Sequence, residues 1–524
     1  MVAGITLCLG LSWQSRALQS SSLLPSLPSP LLVHCDGEGD VAIAVSNPST
    51  MWETLGSMVW AWWWSLMEGV RIVNRSAYLA LIFTPPLLTS PLLLFSRDGE
   101  TVQWWWSLLR TTICRSGPCN IKFSQWIATR PDLFPLAVCQ QLQDLQTNAS
   151  RCSWGLTKQT LEAMFGAHWS EMFSLEIDPN SGEPVVVGSG CVAQVLKGQL
   201  LQPLERAGLP VAIKVIHPTV AVAIQDDLRI MRFAARLLES VPSLSQLGLL
   251  ESVEEFALFM NSQLDLRREA AALSRFRANF STRPGSKSPA AGAHRVHSVH
   301  FPEPIYPLVT PLALVETYAE GQLMLDLIGS IDAPTRHQLA TLGLDTILKM
   351  VFQDNFIHAD MHMGNIIVLR DVEANSLKMT MIDAGLVAEL EPQDRLNFVD
   401  LFKAVVLNDG RRVGRLIIER SRNLGYCKDA QGFEAELEDV VRTVHSSGLS
   451  LGRMGVGALL QRVLVACHRH NVKLESKFVA VVLAIGVVEG LGRRLDPDVD
   501  ILLKASPYVL KASLDLALQG ASRR

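Results

Sequence analysis

The stretch IHADMHMGN, Ile357 to Asn365, lies between two apolar runs, KMVFQDNF before it and IIV after it. Two histidines, an aspartate and an asparagine beside buried segments admit three readings: a metal site, a catalytic loop or an ordinary polar turn. As a metal site, His358 and His362 stand four residues apart with Asp360 between them, a zinc-like donor set. As a catalytic loop, Asp360 and Asn365 have the spacing D-x-x-x-x-N. The aspartate then orients or deprotonates a nucleophile and the asparagine holds Mg2+. The surrounding chain has to choose.

Eighteen residues beyond Asn365, MIDAG places Asp383 at the end of an apolar strand and before a glycine turn. That is where kinases carry a second Mg2+ ligand, and a hard cation takes such oxygen donors. Upstream, VAIK puts Lys214 among apolar strand residues. A lysine there must snorkel or meet an anion and a carboxylate; Glu269, in DLRREAA, is the carboxylate candidate, and a solvent-facing strand lysine is the plain alternative. Nineteen residues before Lys214 ends GSGCVAQV, with Gly188, Ser189, Gly190, Cys191, Val192, Ala193 and Val195. It fits G-x-G-x-x-A-x-V, one residue from the glycine loop over ATP phosphates, where missing Cβ atoms let backbone N–H groups approach. Alone it reads equally as a tight hairpin turn.

Each match is weak, but their order is that of a kinase: glycine loop, strand lysine, helix glutamate, linking strand ALVETYAEG with Glu316, D-x-x-x-x-N, D-x-G. The zinc reading accounts for two histidines and leaves the rest as coincidence. We therefore expect an α+β, bilobal protein-kinase-like fold that binds ATP with Mg2+. Its small mixed N-lobe spans about 176–320 and its mainly helical C-lobe 321–524. The N-lobe would hold the hairpin EPVVVGSGCVAQVLKGQL, the strand LPVAIKVIHP, and an amphipathic helix with Ile224, Leu228, Met231, Ala235 and Leu238 inward and Asp/Arg outward. A second helix is expected to run without a break through ESVEEFALFMNSQLDLRREAAALSRFRANF, followed by the Pro/Gly/Ser loop STRPGSKSPAAGAH. After Asp383 there is no A-P-E and no long activation segment, so a docked peptide substrate is not expected.

Composition narrows the class further. At a net charge of −4 the 524-residue chain has no electrostatic footprint for nucleic acid. Nine cysteines without a C-x-x-C pair read as reduced thiols in an intracellular setting. All twelve tryptophans precede residue 170, and two triplets, Trp62–Trp64 and Trp104–Trp106, flank an uncharged stretch at 76–96. About 20 apolar residues can span a bilayer with Trp at the headgroups, so residues 58–110 are expected to associate with a membrane. A buried segment is the alternative, and Pro85, Pro86 and Pro91 are expected to break a regular helix. Residues 1–57 read as a poorly structured or targeting segment, with one arginine, Arg16, and the acidic CDGEGD against a mitochondrial presequence.

The motifs FIHADMHMGN, MIDAG, VAIKVIHP, QLDLRREA and IKFSQWIATRPDLFP together resemble the UbiB/AarF-domain (ADCK) atypical kinase family, over roughly residues 115–510. VGSGCVAQV, ALVETYAEG and KLESKFVAVVLAIGVVEGLGRRLDP are most similar to one of its mitochondrial animal branches. The resemblance implies a mitochondrial protein at the inner membrane that supports coenzyme Q and lipid metabolism. It implies ATPase or small-molecule kinase activity, with a lipid or quinone-precursor substrate or protein partners. A nucleotide-binding pseudokinase scaffold is the alternative. By the same resemblance, Asp360, Lys214 and Glu269 are catalytic, Asn365 and Asp383 hold the metal, and the glycine loop, Lys214 and Glu316 bind nucleotide. A family extension, 111–175, would carry a lid motif through Lys122 and Gln125, completed by Gln263 and Asp265. Here Ser124 replaces the motif's glycine, Gln263 a glutamate, and Ala384 the kinase phenylalanine.

Overall fold

The computed structural model describes residues 48–522, apart from 96–98, 129–135, 143–152, 242–247, 282–298, 372–375, 421–426, 428, 448–455, 473–491, 493–494, 497–498 and 500. The expected targeting segment up to residue 47, the 282–298 loop and most of the KLESKFVAVVLAIGVVEGLGRRLDP stretch lie outside the described residues. The chain divides into two units, residues 1–68 and 69–524; all that follows concerns the second.

Helix α1 (Pro48–Thr89) enters this unit at Gly69 and continues to Thr89 through Pro85 and Pro86. The expectation that these prolines end the helix is corrected. The last turn is capped by side-chain donors to two of the end carbonyls, Thr89 Oγ1 to Pro85 O and Trp105 Nε1 to Pro86 O. Among the described residues no helix is long and apolar enough to cross a membrane. Helix α2 (Gly99–Ser116) and α3 (Pro118–Ala128) follow.

Helix α4 (Trp154–Phe165) leads into an antiparallel sheet. Its strands are β1 (Phe173–Leu175), β2 (Val186–Ser189), β3 (Ala193–Leu200), β4 (Pro210–Ile216), β6 (Pro304–Val309) and β7 (Ala313–Thr317), in the order β1-β3-β4-β7-β6, with β2 on β3. Period-two alternation gives the sheet two faces. Val211, Ile213 and Val215 of β4 and Ala313 and Val315 of β7 pack with Leu161, Trp169 and Phe173 in one core. The opposite face, carrying Ala212, Lys214, Leu314 and Glu316, looks into the cleft.

Helix α5 (Pro218–Glu239) crosses below. Ile224, Leu228 and Ala235 are buried as expected, whereas Leu238 is exposed. Asp226 and Asp227, assigned to the solvent side from periodicity, are buried instead. Arg75 of α1 binds Asp227 through Nε at 2.7 Å and Nη2 at 2.8 Å, and Arg71 binds Asp226. A buried carboxylate needs such a partner. The uninterrupted helix expected over 251–280 is two, α6 (Leu249–Gln263) and α7 (Leu266–Phe280). The break comes at Asp265, which turns extended and caps α7 by accepting from Arg267 N; at the same step Leu266 N turns to Pro311 O.

The helical half begins at α8 (Ala333–Leu348), whose last turn widens into a π-helical turn at Lys349–Asp354. Four-stranded β5-β11-β10-β8 follows, with β5 (Val299–His300), β8 (Gln322–Leu323), β10 (Ile366–Asp371) and β11 (Ser376–Met381). Short β9 (Ile357–His358) pairs with β12 (Val387–Ala388). Helices α9 (Pro392–Val406), α10 (Gly410–Glu419), α11 (Ala430–Ser447) and α12 (Val456–Arg469) share a separate core around Phe433 and Leu437. Helix α13 (Ile501–Ser522) returns to α8, where Tyr508 Oη donates to Asp345 Oδ1 at 3.3 Å.

Candidate active site

Two local devices bring distant residues to the cleft. The β10–β11 hairpin pairs Ile366 with Met381, so Asn365, just before one strand, meets Ile382, just after the other: Ile382 N donates to Asn365 O at 2.9 Å. The β9–β12 pair does the same for the loop that carries Asp360, with Ala359 N on Leu386 O at 3.0 Å. Asn365 Nδ2 then donates to Asp360 O at 3.0 Å, closing the loop on itself. Asp360 and Asp383 keep 42% and 47% of their side-chain surface exposed, so both carboxylates are open to a ligand.

The strand lysine finds its carboxylates. Lys214 Nζ donates to Glu269 Oε1 and Oε2 at 2.8 and 2.9 Å and to Asp383 Oδ1 at 3.0 Å. Asp383 adopts φ 60°, a strained backbone for a non-glycine residue. Gly385 lies so close that a Cβ would stand 3.2 Å from Asp383 Oδ1 and 3.6 Å from Glu269 Oε2. Burial works to raise Asp383, but the Lys214 ammonium holds it well below the usual carboxylate range. Burial pushes Glu269 upward against the pull of Lys214. Burial and then the Glu269 charge push Glu316 up to about 8. Of the three carboxylates near the ammonium, Asp383 is the one held ionised, while burial pushes Glu269 and Glu316 toward their protonated forms.

The glycine loop and helix α3, where the lid motif was expected, both lie near Asp383 through Lys122 and Cys191. Gly190 N donates to Ala193 O at 2.8 Å, and His217 N to Val192 O at 3.0 Å, tying the turn to β4. A Cβ at Gly188 or Gly190 would meet only ordinary contacts, at 3.9 and 3.6 Å. The fold itself therefore has room for side chains there; the open backbone is available to a ligand. Half-buried Lys122 of α3 is near enough for its charge to act on both Cys191 and Asp383. Helix α3 is held by Phe123 and Trp126 against Phe256 of α6, at 4.9 and 5.8 Å between ring centres. Ser124, in place of glycine, is buried and returns its hydroxyl to Asn120 O at 2.9 Å, so it leaves no orphan. Asp265 is engaged by Arg267 at 2.8 Å and caps α7; half-buried Gln263 ends α6.

The histidines do not converge. His358 is buried against Phe276, and its Nδ1 accepts from Asp360 N; His362 Nδ1 accepts from Gly364 N. Among the described residues, no three His, Cys, Asp or Glu side chains are placed to hold a metal by themselves, so the zinc-like donor set is not assembled. Sequence reasoning missed Arg71, Arg75, Asp226 and Asp227, which anchor α5 beneath the cleft. The available signal was the pair of arginines, one turn apart, just before the uncharged stretch of the helix.

Hairpin, lysine clamp and paired loops define a kinase-like protein. The ABC1 atypical kinase-like domain matches residues 144–417, and the UbiB helical domain matches 443–500. A mitochondrial ABC1 family protein of Schizosaccharomyces pombe is 31% identical, over 84% of this chain and 71% of that protein. One of Saccharomyces cerevisiae is 30% identical, over 85% and 75%. A probable protein kinase UbiB of Vibrio atlanticus is 28% identical, over 81% and 73%. A solved Mycobacterium tuberculosis protein, in complex with erythromycin, aligns with TM-score 0.49 at 20% identity, over 74% of this chain and 86% of that one. The chain belongs to the ABC1/UbiB atypical kinase-like family.

Proposed function

We propose that this chain binds Mg–ATP and is an ATPase or small-molecule kinase acting in mitochondrial coenzyme Q and lipid metabolism. One observation carries the reading: Lys214 is held between Glu269 and Asp383 at 2.8–3.0 Å, under an open glycine hairpin. In this reading Lys214 meets the phosphates, Glu269 orients it, and Asp360 positions or deprotonates the acceptor. Asn365 fits a hard cation because its Nδ2 is already spent on Asp360 O, leaving Oδ1; Asp383 fits because it stays ionised. These two would hold Mg2+, which neutralises phosphate charge when bound. Lys122 and Gln125, with Gln263 and Asp265 behind them, form the lid face that covers the phosphates.

The mitochondrial setting follows the names of the yeast relatives, and the quinone connection is what the family resemblance implies. The membrane part of the proposal rests on apolar side chains of α1 and the residues after it. Leu81, Leu87 and Leu88 are 72%, 67% and 74% exposed, which suits lying on a lipid surface.

The test is thermal unfolding of the full chain with and without Mg–ATP, beside Asp383→Asn. Nucleotide at a hundred times its Kd adds about 2.7 kcal/mol. The wild type should shift only with Mg2+, and the variant should lose the Mg2+ dependence; no shift in the wild type ends the nucleotide reading. Binding without turnover, unchanged by Asp360→Asn, would establish the scaffold alternative.

A further inference from the structure

Glu316 is a buried carboxylate that the phosphate chemistry does not use. It is 6% exposed, and its Oε2 has no hydrogen-bond partner among the described residues. Its place on the sheet is set by register. Lys214 pairs with Val195 on one side and Leu314 on the other; Ala212 pairs with Lys197 and Glu316. All these positions lie on the cleft face, because their neighbours Ile213 and Val315 enter the core behind the sheet. Lys197, in the row of Glu316, is already held by Glu176 at 2.8 Å.

The same register gives a bound nucleotide its direction. The glycine turn at 190–192 lies beyond the Ala193–Ile216 pair, then comes the Lys214 row, then the Ala212–Glu316 row. Phosphates between the turn and Lys214 leave the nucleoside to run away from the turn. Two strand residues carry it about 7 Å along the sheet, to Ala212 and the orphaned carboxylate.

We infer that Glu316 is the base-specificity residue of this site, accepting a hydrogen bond from the exocyclic amine of adenine. The inference rests on the Mg–ATP reading and extends it from phosphates to base. ATP carries one exocyclic amine, at C6; GTP presents an oxygen there, which an acceptor repels. Ionised or protonated, the carboxyl group keeps an oxygen that accepts from the amine; the repulsion of the GTP oxygen belongs to the ionised form. Buried acceptors discriminate strongly because the analogue that lacks the donor leaves them unpaired.

The experiment is calorimetric titration of the full chain in Mg2+ with ATP and with purine riboside triphosphate, which lacks only the 6-amino group. Wild type should bind ATP at least tenfold more tightly. Glu316→Gln, which keeps an acceptor, should retain most of that preference, and Glu316→Met should bind the two ligands equally. Equal binding by the wild type overturns the inference, as does a preference that survives in Glu316→Met. Should the methionine variant not fold, the wild-type comparison still decides. If ATP binds with the Asp383 and Mg2+ dependence described above while the analogue binds as well, the base assignment alone fails; if neither binds, both readings fail.

Discussion

Glu316 also bears on stability. Its ordinary value of 4.5 rises to about 8 in the fold, through burial and the Glu269 and Asp383 charges, opposed by Lys214. Between those pH values the native chain holds a proton that the unfolded chain has released. Stability from this group is therefore full below about pH 4.5 and is lost as pH rises toward 8. Without nucleotide, chemical denaturation should show a loss on the order of 2 kcal/mol between pH 5 and 8. Glu316→Gln cannot ionise, so it should flatten that slope; an unchanged slope would assign it to other groups. At Gly321, φ is +129° and a Cβ would stand 2.5 Å from Val368 O. Gly321→Ala should cost about 2 kcal/mol or more in the same measurement, since backbone cannot give way as a side-chain tip can.

At the scale of elements, α1 and α5 are joined through buried charge. Asp227 is 1% exposed and its bidentate partner Arg75 is 22% exposed. Removing the arginine strands a carboxylate inside the protein, and such truncations cost about 3–5 kcal/mol. Arg75→Ala should lower denaturant stability by that order, whereas Arg75→Met combined with Asp227→Leu should recover most of it. An Arg75→Ala variant as stable as wild type would mean that Asp227 finds another partner or water. Helix α7 depends on its break from α6 in the same way: the Asp265 cap sets where the helix starts, and Glu269 lies in its first turn. A continuous helix over 251–280 would carry Glu269 through a different path, and its grip on Lys214 depends on that placement.

For the whole molecule, the exposed leucines after residue 80 are the feature to test. Replacing Leu81, Leu87 and Leu88 with serine should leave the melting temperature nearly unchanged, because the side chains already face solvent. Cosedimentation with anionic phospholipid vesicles should fall at least tenfold. Equal sedimentation of variant and wild type would place any membrane contact elsewhere. In the helical half, Tyr508 and Lys504 of α13 meet Asp345 of α8 at 3.3 and 3.5 Å, tying α13 to the helix that precedes the loop with Asp360.

The sequence by itself determined the kinase-like class and the residues at its centre. Lys214, Asp360, Asn365 and Asp383 were legible because each sits in a local pattern: a polar residue within or ending an apolar strand, or a fixed spacing within one loop. β-Branched runs around glycines likewise announced the β2–β3 hairpin, and a short apolar run ended by Pro218 announced β4. Only the tertiary structure decided the rest. Asp226 and Asp227 look like solvent residues until arginines about 150 positions away cover them. The break at Asp265 depends on a carbonyl from residue 311, and the helix through Pro85 and Pro86 gains a donor from Trp105. Glu316 was expected to bind nucleotide only through the family resemblance; its burial and its unpaired oxygen appear only in the fold. Local patterns record what neighbours along the chain require; burial and pairing of charge are set by segments that meet only when the chain has folded.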